Sequence, residues 1–197
     1  MLTNSNGKLG KSIYSFNLPR TSCKEKTKAC QKYCYGRRGF FRCDNTIKNM
    51  DGNLKISKSD LFVEAICAQI HYIQVLENIE YIRLHACGDF YSQDYYNKWQ
   101  KIAGRYPDVK FLAYTRNTKI DFSKRPDNFM IINSRDATTK KLNPTLDRYA
   151  WVLDKKKIPN EAAMNVETRP AFICRFKCSN CKMCWGDNGL DIVFPQK

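Results

Sequence analysis

The sequence has no long apolar run. Its best stretch, Leu61 to Ile70, is interrupted by Glu64, and the opening Met1-Leu-Thr-Asn-Ser-Asn-Gly7 lacks the apolar core and small-residue cleavage site of a secretion signal. Neither export nor membrane crossing is therefore expected, and the expected compartment is the cytoplasm. Low-complexity tracts and internal repeats are also absent, and 43% of the residues are hydrophobic, which argues against disorder over most of the length. Acidic residues are few beside basic ones: 19 Asp and Glu face 34 Lys and Arg, a formal net charge of +15. That surplus attracts polyanions, with nucleic acid or a ribonucleoprotein the expected partner and a host protein a further one, although a merely solvated basic face has the same composition. At 197 residues the chain is expected to form a single domain, 1–197.

What the chain has in plenty is cysteine. Ten thiols in a reducing compartment are more readily explained by metal than by disulfides. Two groups stand out, one in an N-terminal loop of about residues 20–58 and one in a C-terminal segment of about 170–197.

The elements around them follow from side-chain periodicity. Ser12 to Leu18 alternates apolar and polar residues as a short strand before Pro19. Gly36, Gly39 and Gly52 punctuate the loop. Ser59 or Asp60 is expected to cap a helix to about Asn78, with Phe62, Ile66, Ile70 and Ile73 on one face. Strand-like Tyr81–His85 breaks at Gly88-Asp89, and Ser92 can cap a second helix with Tyr95, Trp99, Ile102 and Tyr106 on a stripe that ends at Pro107. Val109–Tyr114, Phe129–Asn133, Tyr149–Leu153 and Asp191–Phe194 read as further strands, and Lys155–Pro159 as a basic turn. This order implies α/β architecture with parallel βα units. A full eight-unit barrel needs about 250 residues, so a small partial (β/α) barrel or an open parallel sheet fits the length.

The C-terminal group is Cys174-x3-Cys178-x2-Cys181-x2-Cys184, followed by Trp185. Zinc ribbons separate two Cys pairs by a longer finger so that ligands reach one ion from two directions, and this run has no such gap. Closely repeated cysteines suit an iron-sulfur cluster, in which each thiolate reaches a different iron. The N-terminal group is Cys23-x6-Cys30-x3-Cys34, with Cys43 beyond it. Three thiols can hold three irons of a 4Fe-4S cluster and leave the fourth open, or a zinc site can be completed by Cys43. One or two clusters are thus expected, with zinc as the alternative. Cys67, inside a helix, and Cys87, at a strand end, read as packing residues.

Parallel βα architectures gather ligands at the C-terminal ends of strands. His85, Gly88 and Asp89 occupy one such end, Thr115-Arg116-Asn117 the next, and Arg135-Asp136 a third. His85 and Asp89 are the catalytic candidates, with a satisfied structural histidine the other reading of His85. Arg116 and Arg135 can bind carboxylate or phosphate.

The N-terminal cysteine loop closing on Cys34-Tyr35-Gly36, the Arg83-Leu-His-Ala-Cys-Gly-Asp-Phe90 segment, Trp99, Phe111–Arg116 and the Cys178, Cys181, Cys184-Trp185 run together resemble the phage and mobile-element family called gene product 88-like. A more distant resemblance is to radical S-adenosylmethionine enzymes, in which a three-cysteine loop follows the first strand and motifs at the next two strand ends hold the cofactor. It implies that Cys23, Cys30 and Cys34 hold a cluster and that Gly88, Asp89, Thr115 and Asn117 bind S-adenosylmethionine. The usual C-x3-C-x2-C spacing of those enzymes is replaced here by C-x6-C-x3-C.

Two functions follow. One is a radical S-adenosylmethionine-like enzyme acting on nucleic acid or protein. The other is a non-catalytic basic protein, stapled by iron-sulfur or zinc, that engages nucleic acid or a host defence ribonucleoprotein. Lys24, Lys26, Lys28, Lys32, Arg37 and Arg38, beside Tyr33, Tyr35, Phe40 and Phe41, are the expected contacts, because basic and aromatic groups interleave there.

Overall fold

A computed structural model describes residues 1–4, 8–10 and 12–196. The chain enters as strand β1 (Ile13–Phe16), passes a short helix α1 (Lys28–Lys32) and two long ones, α2 (Asp44–Ser57) and α3 (Phe62–Leu76), and returns as β2 (Tyr81–Leu84). Helix α4 (Gln93–Arg105) leads to β3 (Lys110–Thr115), followed by β4 (Phe129–Asp136) and β5 (Tyr149–Asp154). A hairpin of β6 (Ala163–Val166) and β7 (Arg169–Ile173), a short helix α5 (Cys178–Cys181) and β8 (Asp191–Gln196) complete it. The strands form one eight-stranded open sheet in the order β1-β2-β3-β4-β5-β8-β7-β6, parallel throughout except for the β6–β7 pair.

Both faces of the sheet are covered, which is why its strands read as nearly continuous apolar runs. Alternate residues serve the two sides. Phe16, Leu84, Phe111, Ala113, Phe129 and Ile131 pack with Phe62, Ile66 and Ile70 of α3 and Tyr95, Trp99 and Ile102 of α4. At its centre Phe16, Phe62 and Trp99 meet edge to face, with centroids 5.2 to 5.5 Å apart. The opposite face, built from Ile13, Leu112, Tyr114, Ile132 and Ala150, is covered by Trp185, with Cys178 and Cys184 packed beside it. Buried Asp191 ties the C-terminal half together by accepting from Tyr149 N, Trp151 Nε1 and Arg169. Among the described residues no helix is long and apolar enough to cross a membrane.

The strands and the two apolar-striped helices lie where the sequence places them, and Ser92 caps α4 by accepting from Tyr95 N at 3.2 Å. Three features differ. The 20–58 loop holds a fourteen-residue helix, α2. Its buried face is Met50, Asn53 and Ser57, so the period is right but two of the three positions are polar and the apolar stripe is hidden. Asn53 Nδ2 donates to Asn17 O at 3.0 Å, and the Ser57 and Tyr91 hydroxyls meet at 2.9 Å. Neither Ser59 nor Asp60 caps α3: the Ser59 hydroxyl donates to Ile56 O and finishes α2, and Leu61 stands at the cap position without a side-chain bond. The β6–β7 hairpin turns through Glu167 and Thr168, both at positive φ. Such turns are normally recognised by Asn-Gly or a similar pair, and Glu-Thr gives no such signal.

Candidate metal centres

The thiols lie in the crossover connections of the sheet. After β1 the chain makes a 3-10 turn at Arg20–Ser22 and reaches Cys23. Two polar ties hold the next stretch against neighbouring strand ends. The Glu25 carboxylate accepts from Thr118 N and Oγ1 at 2.7 and 2.8 Å, beyond β3. The Thr27 hydroxyl donates to Asp136 Oδ2 at 2.6 Å, at the end of β4, while accepting from Cys30 N to cap α1. Cys34 then precedes a 3-10 turn, Tyr35–Arg37, in which Gly36 is buried. These ties bring Cys23, Cys30 and Cys34 together near the strand ends.

A fourth thiol joins them. Cys87 follows β2 and is 4% exposed. Its N donates to Asn17 Oδ1 and its O accepts from Leu18 N, so both sides of its peptide are fixed by the segment after β1. Burial, with the nearby Cys34 thiol adding to it and Arg20 opposing, pushes Cys87 up to about 12. Cys23 is pushed up to about 12 by burial, with Asp89, Cys87, Cys30 and Cys34 adding to it. Burial also raises Cys30, against the pull of Arg116. Those three thiols are neutral at pH 7, and a metal binding there must displace their protons. Cys43 is instead exposed at the start of α2, and Cys67 is buried on α3 beside Arg105.

The polar residues at the strand ends mostly bond to one another. Asp89 is buried; its Oδ1 accepts from Thr115 Oγ1 and Phe90 N at 2.7 Å, and its Oδ2 from Arg116 N at 2.9 Å. Burial lifts Asp89 to about 6 in spite of these bonds. The Asn117 amide donates to Phe90 O and accepts from Lys119 N. Gly88, at φ +94°, has no room for a side chain: a Cβ would lie 2.5 Å from Leu18 Cβ and 2.9 Å from Ser22 Oγ. Arg116 forms a buried ion pair with Asp136 at 2.9 Å. Burial alone would raise Asp136, but bonds from Thr27 and Thr138 together with Arg116 hold it below the usual carboxylate range. Arg135 pairs with Glu167 and stacks on Trp151.

His85 turns the other way, into the helix-side core, where Nε2 meets the Tyr95 hydroxyl at 2.9 Å and the ring packs on Phe90. The structure thus gathers Asp89, Thr115 and Asn117 near the N-terminal thiols but points His85 elsewhere. Burial, aided by Arg83, lowers His85 to about 3.

The C-terminal quartet occupies the β7–β8 crossover. Cys174, Cys178, Cys181 and Cys184 line one pocket together with Met183 and Trp185. Cations back it: Lys8 Nζ donates to Cys174 Sγ at 3.1 Å, and Arg83, stacked 4.2 Å above the Tyr114 ring, pulls Cys178 and Cys184 downward. Burial still raises Cys178 and carries Cys184 up to about 11, although the Tyr114 hydroxyl beside Cys184 pulls the other way. The Tyr114 hydroxyl and Trp185 Nε1 are buried with no hydrogen-bond partner. Among the described residues no three His, Cys, Asp or Glu side chains are arranged to hold a metal ion.

Sequence reasoning missed Arg148, which organises this segment. It is 6% exposed and donates to the carbonyls of Met183, Cys184, Gly186 and Leu190 and to Asn188 Oδ1. An arginine in a polar turn carries no signal of such a role; only the loop it binds reveals it.

Two outcomes are expected. Arg148→Ala leaves those acceptors unpaired and lowers stability by about 3 kcal/mol or more in urea denaturation, whereas an exposed arginine would cost almost nothing. For His85, the unfolded state takes up a proton below about pH 6.5 while the folded state stays neutral until about pH 3, so its share of stability is lost as pH falls. Asp89 acts with the opposite sign, since its folded pKa is raised, and cancels on comparison with a variant. His85→Asn, which tolerates the φ of +59°, is expected to lose about 2 kcal/mol less than wild type between pH 6.5 and 5. Parallel curves would show that His85 titrates normally.

No curated protein and no solved structure matches the chain. The model of one family, gene product 88, matches residues 1–186, a span that includes every cysteine of both groups, and the chain belongs to that phage gene-product family.

Proposed function

We propose that this phage-family chain is an iron-sulfur protein that holds one cluster in each cysteine group and presents the cysteine loop to single-stranded nucleic acid. The observation that carries the reading is the gathering of thiols by the fold into two separate places. Both donor sets consist of sulfur alone, which favours thiophilic metals and iron-sulfur clusters. A zinc ion needs its sulfurs within about 2.3 Å of one point. A cluster puts each thiolate on a different iron, so its ligands need not meet at one point. When bound, such clusters supply one-electron chemistry or structural cross-linking. The chain would contribute thiolates, the cations near them and an apolar cover.

The loop supports the second half of the reading. Lys24, Lys26, Lys28, Lys32, Arg37 and Arg38 are all exposed. Among the described residues none of the six is in an ion pair with a carboxylate. Tyr33, Tyr35 and Phe40 are exposed among them, at 39%, 52% and 82%. Exposed rings beside cations that no carboxylate neutralises are the arrangement on which single-stranded bases stack. Cleavage of S-adenosylmethionine is not part of this reading, because Gly88, Asp89, Thr115 and Asn117 are committed to bonds or packing within the fold.

Protein purified without oxygen is expected to be brown, with iron and acid-labile sulfide in equal amounts; a colourless, zinc-loaded preparation would refute the cluster half. Fluorescence anisotropy with a labelled single strand tests the other half. Six phosphate contacts imply a fall in affinity of about two to three orders of magnitude between 50 and 200 mM salt. Replacing the four lysines with alanine should flatten that slope. Binding indifferent to both salt and the lysines would exclude the loop as the contact.

A further inference from the structure

We infer that Cys87 is the fourth thiol ligand of the N-terminal site, so that the cluster there is closed by four cysteines and offers no open iron. The inference rests on the iron-sulfur reading above and specifies how its first cluster is held. Three observations place Cys87. Its peptide is pinned on both sides to the segment that leads into the cysteine loop, through Asn17 Oδ1 and Leu18 N. Its sulfur lies against Gly36, two residues beyond Cys34, so closely that a Cβ on Gly36 would stand 2.4 Å from Cys87 Sγ. Its thiol is within electrostatic reach of both Cys23 and Cys34.

Gly36 has a backbone conformation open to ordinary residues, since its φ is not in the left-handed region. Space for the Cys87 sulfur, rather than turn geometry, is therefore what keeps a side chain away from this position. The set Cys23, Cys30, Cys34 and Cys87 is drawn from two crossovers, which gives a cluster ligands from two directions. Four cysteines saturate a 4Fe-4S cluster, and no iron is left to take the amine and carboxylate of S-adenosylmethionine.

The test uses the full chain, purified and reconstituted without oxygen, with Cys23→Ala as the reference that removes the N-terminal cluster. Mössbauer spectra and iron counts are recorded before and after mild ferricyanide oxidation, and electron paramagnetic resonance of the reduced protein with and without S-adenosylmethionine. Wild type is expected to keep all its iron on oxidation and to show a spectrum that S-adenosylmethionine does not move. Cys87→Ala should lose one iron per chain on oxidation and acquire a three-iron signal. Gly36→Ala, which displaces the sulfur while leaving every ligand in the sequence, should do the same in part and serves should Cys87→Ala fail to fold. Loss of one iron from wild type itself, or a spectrum shifted by S-adenosylmethionine, would overturn the inference while leaving the cluster reading intact. Cys87→Ala or Gly36→Ala protein indistinguishable from wild type would also overturn it. Wild type with no iron in either group would instead bring down the cluster reading, and this inference with it.

Discussion

Parallel strands cannot be joined by a tight turn; each pair needs a crossover of a dozen residues or more that returns the chain to the same end of the sheet. In this molecule those crossovers carry the thiols. Cys23, Cys30 and Cys34 lie between β1 and β2, Cys87 between β2 and β3, and the C-terminal quartet between β7 and β8. Because β1 and β2 are neighbours in the sheet, the segments that leave them run side by side, and the Asn17–Cys87 and Leu18–Cys87 bonds are the visible result. The helices occupy one face, so the last crossover is free to cover the other, where Trp185 anchors it.

The electrostatics of the two sites follow from this placement. Burial penalises thiolates, and several of the thiols are held neutral well above their ordinary range. Cations stand close by in each case, Arg20 and Arg116 at the N-terminal site and Lys8 and Arg83 at the C-terminal one. In the proposed clusters four thiolates would carry net negative charge, which these cations, with the Tyr114 hydroxyl beside Cys184 and the unpartnered Trp185 Nε1 near the second site, would offset.

Much of the fold was legible because apolar runs and stripes report burial directly. Phe111–Tyr114, and Phe129, Ile131 and Ile132, are buried and could be read as strands; Trp99 and Ile70 mark helix faces in contact with them. Helix α2 was not legible, since Asn53 and Ser57 are buried for their hydrogen bonds rather than for apolar area. The membership of the sites was only partly legible. Spacing along the chain groups Cys23, Cys30 and Cys34 and, separately, the C-terminal quartet, whereas Cys87 comes near the first group through strand pairing, which spacing does not encode. Gly36 was the available hint, although it read as loop punctuation. The strand-end residues lie at neighbouring strand ends, yet which of them are consumed by hydrogen bonds depends on side-chain direction, as His85 shows by pointing into the helix-side core.

The central claim is that the fold assembles two separate cluster sites from its crossovers. Native mass spectrometry of the protein, purified and sprayed without oxygen, tests it most directly. The mass should exceed that of the polypeptide by two four-iron, four-sulfide clusters, with the protons of the ligating thiols gone. Disabling the C-terminal quartet by Cys181→Ala and Cys184→Ala should remove one increment and leave the other. A mass equal to the bare chain, or to the chain with zinc, would contradict the account.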